Sequence, residues 1–182
     1  MAQRFMYSFV RALSITLLIT CLSVGYTPSA IAQNIITKEI YLKKSKEAER
    51  KILFGQSILQ AIPVLGKPDK IEDYYFEADE KTGKLYHYGK SHVFFMDDKL
   101  SGFTIVDSSL VVGLDNGLEV RVGDGLKSDN FKNYKARYSP GTSFNIYATC
   151  SIELNIGTSD DSIFLLFDEK DRLNGIAHWS PI

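Results

Sequence analysis

The chain is poor in the residues that usually announce chemistry: two cysteines, three histidines and one tryptophan in 182 residues. So few Cys and His leave little material for a metal cage, and His87, His92 and His178 do not have the spacing of a zinc site. Positive charge is not in excess either, with 21 Lys and Arg against 22 Asp and Glu and a net charge of −1. A surface without a basic surplus has nothing to neutralise phosphates, so nucleic acid is not an expected partner. Gly-x-Ser-x-Gly is absent, which removes the usual strand-to-helix nucleophile. Gly89-Lys90-Ser91 imitates the end of a phosphate loop, but Gly83 stands one residue too far upstream. In addition, Val93-Phe94-Phe95 begins a strand where a phosphate loop needs a helix N-terminus. No cofactor is expected.

Acidic pairs are present, at Asp97-Asp98, Asp160-Asp161 and Asp168-Glu169. Acid–base catalysis needs two carboxyl groups in different environments flanking one substrate. All three pairs fall in predicted tight turns, where Asp is favoured because its side chain bonds nearby backbone. Asp168 to Arg172 lacks the spacing and glycine of a calcium loop. The sequence therefore supplies no catalytic or metal-ligating residue.

What the sequence does contain begins with an export signal over residues 1–32. Arg4 and Arg11 form its positive start, Ala12 to Val24 its apolar stretch, and Ala30-Ile31-Ala32 a small-x-small cleavage site. Gly25 and Pro28 interrupt the run before it reaches the roughly 20 apolar residues of a membrane span. Leu18-Ile19-Thr20-Cys21 loosely matches a lipobox and keeps lipidation at Cys21 as the lesser alternative. Loss of this segment removes two arginines and no acids, so the net charge moves from −1 to −3. A periplasmic or secreted protein without a stable membrane span is the expectation. Cys150 is then the sole cysteine, and no internal disulfide can form.

Beyond the signal, 33–50 is a charged segment with a strand near Glu39 to Leu42. Ile52-Leu53-Phe54 reads as a short strand, Gly55 breaks it, and Ser57 caps a helix through Leu65 that ends at Gly66-Lys67-Pro68. Four apolar runs follow, Ile71 to Phe76, Leu85 to Tyr88, Val93 to Met96 and Leu100 to Val106, as in an antiparallel meander. A connector, 108–117, carries the hairpin signal Asp115-Asn116-Gly117.

The programme then restarts over 118–182. Leu118 to Val122 is strand-like and Asp129 to Ala136 is read as a weak helix. Phe144 to Ile156 alternates apolar and polar residues with Cys150 on the apolar side, and strands Ile163 to Phe167 and Leu173 to Trp179 follow. The two halves echo one another as an internal repeat. Val93 to Lys99 lines up with Phe164 to Lys170, Leu100 to Phe103 with Leu173 to Ile176, and Phe54 to Ser57 with Val122 to Gly125.

The pattern of strand, glycine, helix closing as Val64-Leu65-Gly66-Lys67-Pro68, Tyr86-His87-Tyr88 and a Phe-rich strand ending in Asp97-Asp98-Lys99 resembles a known module. It is the one shared by β-lactamase inhibitor proteins, which carry it in tandem, and the small lipoproteins of the outer-membrane β-barrel assembly machinery. The resemblance covers 51–107 well and 118–179 loosely. It implies an α+β protein of two tandem helix-on-sheet modules, 51–107 and 118–182, each a short helical layer on an antiparallel meander with its other sheet face free. Members of this kind bind proteins and do no chemistry. The paired disulfides of the inhibitors are impossible here, so no individual role carries over.

Aromatic residues with a polar handle on a polar sheet face are the types enriched in binding hot spots. Tyr86 and Tyr88 share one strand face, Tyr147 lies on the polar side of the long strand, and Trp179 closes the last one. These four residues are the sequence's candidates for contact with a partner protein. The expected function is that of an exported, non-catalytic protein-binding factor of assembly, scaffold, inhibitor or immunity type. The alternative is a small secreted enzyme or ligand carrier with a site between the modules.

Overall fold

A computed structural model describes residues 33–35, 39–44, 49–77, 79–157 and 160–180. The expected signal, with Arg4, Arg11 and Cys21, lies outside them, as do Ser45, Lys46 and Glu47. The described elements, in chain order, are β1 (Gln33–Ile35), β2 (Ile40–Lys44), β3 (Ile52–Leu53), α1 (Ile58–Leu65), β4 (Lys70–Phe76), β5 (Lys81–Tyr88), β6 (Ser91–Met96) and β7 (Lys99–Ile105). They continue as β8 (Leu110–Leu114), β9 (Glu119–Arg121), β10 (Arg137–Ser143), β11 (Ile146–Ile156), β12 (Ser162–Phe167) and β13 (Leu173–Trp179).

This inventory corrects the expected fold class. A helical layer in each of two modules is not what forms: the protein is mostly β, with one eight-residue helix among the described residues. Asp129 to Ala136, read as a weak helix, is a succession of turns in which Phe131 alone is buried. The physical reason lies in its composition. Asp129, Asn130 and Asn133 bond backbone in turns more readily than they support a helix, and one buried residue makes no helical stripe. By contrast α1 buries Ala61, Val64 and Leu65, an i, i+3, i+4 stripe. Ser57 N–H donates to Gln60 Oε1 at 3.0 Å at its start, and Gly66, at φ 83°, closes it with a bond from its N–H to Ile62 O at 2.8 Å.

The strands form two sheets. The larger has nine strands in the order β1-β11-β12-β13-β7-β6-β5-β4, with β10 also beside β11. The smaller runs β3-β2-β8-β9. β1 joins β11 in parallel, and the remaining pairs are antiparallel. The segment expected to be a connector holds β8, whose five residues are all buried. An unbroken apolar run in a strand signals packing on both faces, and within the small sheet β8 pairs with β2 on one edge and β9 on the other. Asn116-Gly117 makes the tight turn into β9, with Gly117 at φ 88° and Leu114 N–H bonded to Leu118 O at 2.9 Å.

One main core links the two sheets and α1. Leu42, Ile52 and Val112 from the small sheet, Leu65 from α1, and Phe103 and Ile152 from the large sheet belong to the same buried cluster. Phe131 joins that core at 1% exposure and meets Phe167 edge to face at 5.2 Å. Cys150 is also part of it, 1% exposed, and burial pushes its thiol above the ordinary range. A thiol held neutral in apolar surroundings is a packing group.

The two halves share a hydrogen-bond pattern. Gly55 N–H bonds Leu100 O, Leu100 N–H bonds Gln56 O and Ile58 N–H bonds Asp98 O; in the second half the same three bonds run Gly123 to Leu173, Leu173 to Asp124 and Leu126 to Asp171. Even a side-chain bond recurs: Leu53 N–H donates to Gln56 Oε1 at 2.8 Å and Arg121 N–H to Asp124 Oδ2 at 2.9 Å. A register shift falls at Phe94/Phe95 in one half and at Leu166/Phe167 in the other. That match sets Phe95 against Phe167, one residue away from the sequence alignment, because the second turn is one residue longer. Equivalent residues then pair with each other where the halves meet, Leu42 with Val112 and Thr104 with Ala177. Such pairing is what a twofold relation between halves produces.

Candidate functional site

In β6 the residues Val93 and Phe95 point into the core, at 0% and 2% exposure, while Phe94 and Met96 alternate to the other face of the large sheet. Across the ladder Phe94 stands opposite Gly102 and His92 opposite Thr104. This second face carries neither α1 nor the small sheet, and it holds a groove of about 600 Å3.

One wall is aromatic. Tyr74 meets Phe76 and Phe94 edge to face at 4.9 Å each, and Phe76 lies 6.3 Å from Phe94. Gly83 makes this wall possible: a Cβ there would come within 2.6 Å of Phe76 Cε2 and run into the Phe95 carbonyl oxygen. The opposite wall is Trp179 with Phe144, and Phe144 is held by a 5.4 Å ring contact with Phe164. Phe144 and Asn145 turn the β10–β11 hairpin at φ 54° and 61°, which aims the ring over the sheet.

The floor lies where the halves join. β7 and β13 pair only at Ile105–Ile176 and Thr104–Ala177, and beyond these pairs His178 fills the space next to Gly102. Its ring is 4.6 Å from that of Phe54 and 5.9 Å from Phe103. Burial pushes the His178 pKa down to about 4, and the nearby Asp161 carboxylate offsets this only in part. The imidazole is therefore neutral at physiological pH. Glu77, Asp79 and Asp161 contribute carboxylates to the lining, and among the described residues no Lys or Arg joins them there.

Along the same face, His87 and His92 sit directly opposite one another, ring to ring at 4.7 Å, and His87 Nε2 is 2.8 Å from Glu72 Oε1. Burial, then the neighbouring His87, lowers the pKa of His92. Among the described residues no three His, Cys, Asp or Glu are arranged to hold a metal ion.

Of the four residues singled out from sequence, Trp179 lies in this groove, 43% exposed. Tyr147 is 54% exposed but stands apart, its carbonyl accepting a bond from Asn174 Nδ2. Tyr86 and Tyr88 are core residues, at 9% and 8% exposure, and cannot present a surface as expected. Their strand face is the one α1 covers: Tyr88 Oη donates to Gly66 O at 3.2 Å, and Tyr86 packs on Phe95 at 4.9 Å. The residues that sequence reasoning missed are Tyr74, Phe76 and Phe94. A legible signal for them exists in Val93-Phe94-Phe95-Met96, an apolar run whose strand has to place half its bulk on the second face.

No protein-family model matches the chain, and neither a curated protein nor a solved structure matches it significantly. Among the described residues no helix is long and apolar enough to cross a membrane.

Proposed function

We propose that this is an exported, non-catalytic binding protein that holds another protein on the open face of its nine-stranded sheet. The observation that carries the reading is the groove itself: aromatic rings gathered on a sheet face that, among the described residues, neither α1 nor the small sheet packs against. Exposed Tyr and Trp beside a concavity are the anchors around which protein interfaces concentrate their binding energy. Export rests on the residue pattern of the first 32 positions.

The test is capture from the native envelope or secretome by the intact protein and by a Phe94→Ser/Trp179→Ala variant whose folding is verified by circular dichroism. A specific partner lost by the double variant and kept by Tyr147→Ala supports the reading; identical captures by all three overturn it. A small-ligand carrier is the second reading, favoured by a volume within the usual range for small-molecule sites and by a position at the junction of the halves.

A further inference from the structure

Resting on the protein-binding reading, we infer that the partner docks as an added strand. It is an extended segment, apolar at alternate positions, that pairs through its backbone with the outer edge of β4 and lays its apolar side chains on the groove face. The duplication supplies the comparison that points there. The halves meet at β7 and β13, and the outer strand is β4 in the first half and β10 in the second. Matching Phe95 to Phe167 through the ladders sets Lys84 against Cys150, Asp73 against Tyr138 and Tyr75 against Gly141. Between the last two matches the first half has Tyr74, and the second has Ser139 and Pro140.

The extra residue is a bulge, seen as the register shift between Tyr138 and Gly141. A bulge twists an edge away and a proline has no N–H to offer, and both keep an edge strand from pairing with another chain. β4 has neither. Its seven residues pair with β5 without a break in register, and among the described residues no other strand pairs with it. Its charges are answered within the sheet, Lys70 and His87 by Glu72 and Lys84 by Asp73. What the edge offers is therefore backbone together with apolar surface: Ile71, Tyr74 and Tyr75 are all exposed.

Tyr74 and Phe76 lie on the groove face with Phe94. A strand laid beside β4, about 4.8 Å away, turns every second side chain to that face and extends the aromatic wall. Main-chain bonds hold such a segment, and the surface met by its alternate side chains selects it. A second copy of the chain fits less well. Antiparallel pairing of β4 with itself about a twofold, over its whole length, centres on Asp73. That carboxylate then faces its own copy, which destabilises a strand pair.

The probe is a heptapeptide of alternating Leu and Thr. Its control is the same sequence N-methylated at every residue, which keeps the side chains and removes the N–H donors. Hydrogen exchange of the intact protein is followed with each. The unmodified peptide is expected to slow exchange within 70–76 about tenfold at saturation and to leave 137–143 unchanged. The N-methylated peptide is expected to slow neither. Tyr74→Ser-Pro, which copies the edge of the second half into the first, is expected to abolish the protection. Ile71→Lys/Tyr75→Lys, at two exposed positions where folding is not at stake, is expected to weaken peptide binding about tenfold, since lysines blunt an edge.

Equal protection of 137–143 overturns the edge assignment, because the proline and bulge then block nothing. Equal protection by the N-methylated peptide overturns it in favour of side-chain contact alone, and no protection by either peptide overturns it outright. Slowing within 70–76 that grows with protein concentration in the absence of peptide overturns it in favour of a second copy. The protein-binding reading is tested separately, and falls only if the Phe94→Ser/Trp179→Ala variant retains every captured partner.

Discussion

The two halves of the protein are built on the same hydrogen bonds and covered by different means. After the Gly55 turn the first half lays down α1, which spreads its attachment over Ala61, Val64 and Leu65. After the equivalent Gly123 turn the second half lays down an irregular segment that buries Phe131 in the core and packs Leu126, Tyr134 and Ala136 partly against it. The difference shows that the frame and the cover are separable. Backbone bonds at the strand ends set the frame, whereas any segment that delivers apolar volume can serve as cover. On the opposite face the comparison continues. The second half fills its side with a small cluster of Ile146, Ala148 and Leu166, while the first half leaves the wall of Tyr74, Phe76 and Phe94 lining an open groove.

The sharpest way to break this comparison is through the covers. Phe131→Ala is expected to cost about 3–5 kcal/mol in chemical denaturation, since its ring is the one fully buried side chain of that segment and only partly buried neighbours share the attachment. Leu65→Ala should fall at the lower end of the 2–5 kcal/mol range typical of Leu truncation, because its neighbours on α1 keep the helix in place. Equal losses would show that the irregular cover is tied down elsewhere.

Position 178 comes next, since its equivalent in the first half is Ile105. A histidine whose folded pKa lies at about 4 against an unfolded value near 6.5 favours the neutral state on folding. That contribution is complete above pH of about 6.5 and is lost as the pH falls through about 4, a difference on the order of 3 kcal/mol. Denaturation curves across this window should therefore fall more steeply for the natural protein than for His178→Ile, which carries no such group. Parallel curves would remove the buried-histidine account.

Glycine substitutions give a smaller, asymmetric pair. Gly83→Ala drives a methyl into the Phe95 carbonyl and the Phe76 ring, whereas Gly175→Ala meets only the side chain of Ile146. Overpacking costs of about 1–3 kcal/mol apply to the first. The second should cost less, because a side-chain tip moves more readily than backbone. The smallest expected effects are the most symmetric: Gln56→Ala and Asp124→Ala each remove the same turn bond, at about 1 kcal/mol apiece. Unequal losses there would argue against equivalent frames.

Much of the strand order was legible in residue patterns. The alternation from Ile146 to Leu154 is realised with every second side chain buried, and the helix begins after Ser57 and ends at Leu65 as its capping and glycine signals require. β8 escaped notice because a five-residue apolar run beside a hairpin signal carries no periodicity to separate connector from buried strand. The second helix was misread from a stretch too polar to own an apolar face. In the candidate site only Trp179 was found. Tyr86 and Tyr88 were misplaced because period-two alternation separates the faces of a strand without saying which of them the helix will cover.

Local chemistry, acting over a few residues, determined where strands start and stop, which turns are tight, and that Cys150 lies inside a strand. Those outcomes depend on backbone torsions and on the period of apolar side chains, both written in consecutive positions. Which sheet face stayed open, and that Phe54, Phe94, Phe144 and His178 converge there, was decided only when β7 met β13 and the two sheets closed over one core. Burial is a property of what lands on top, and what lands on top comes from residues far away along the chain.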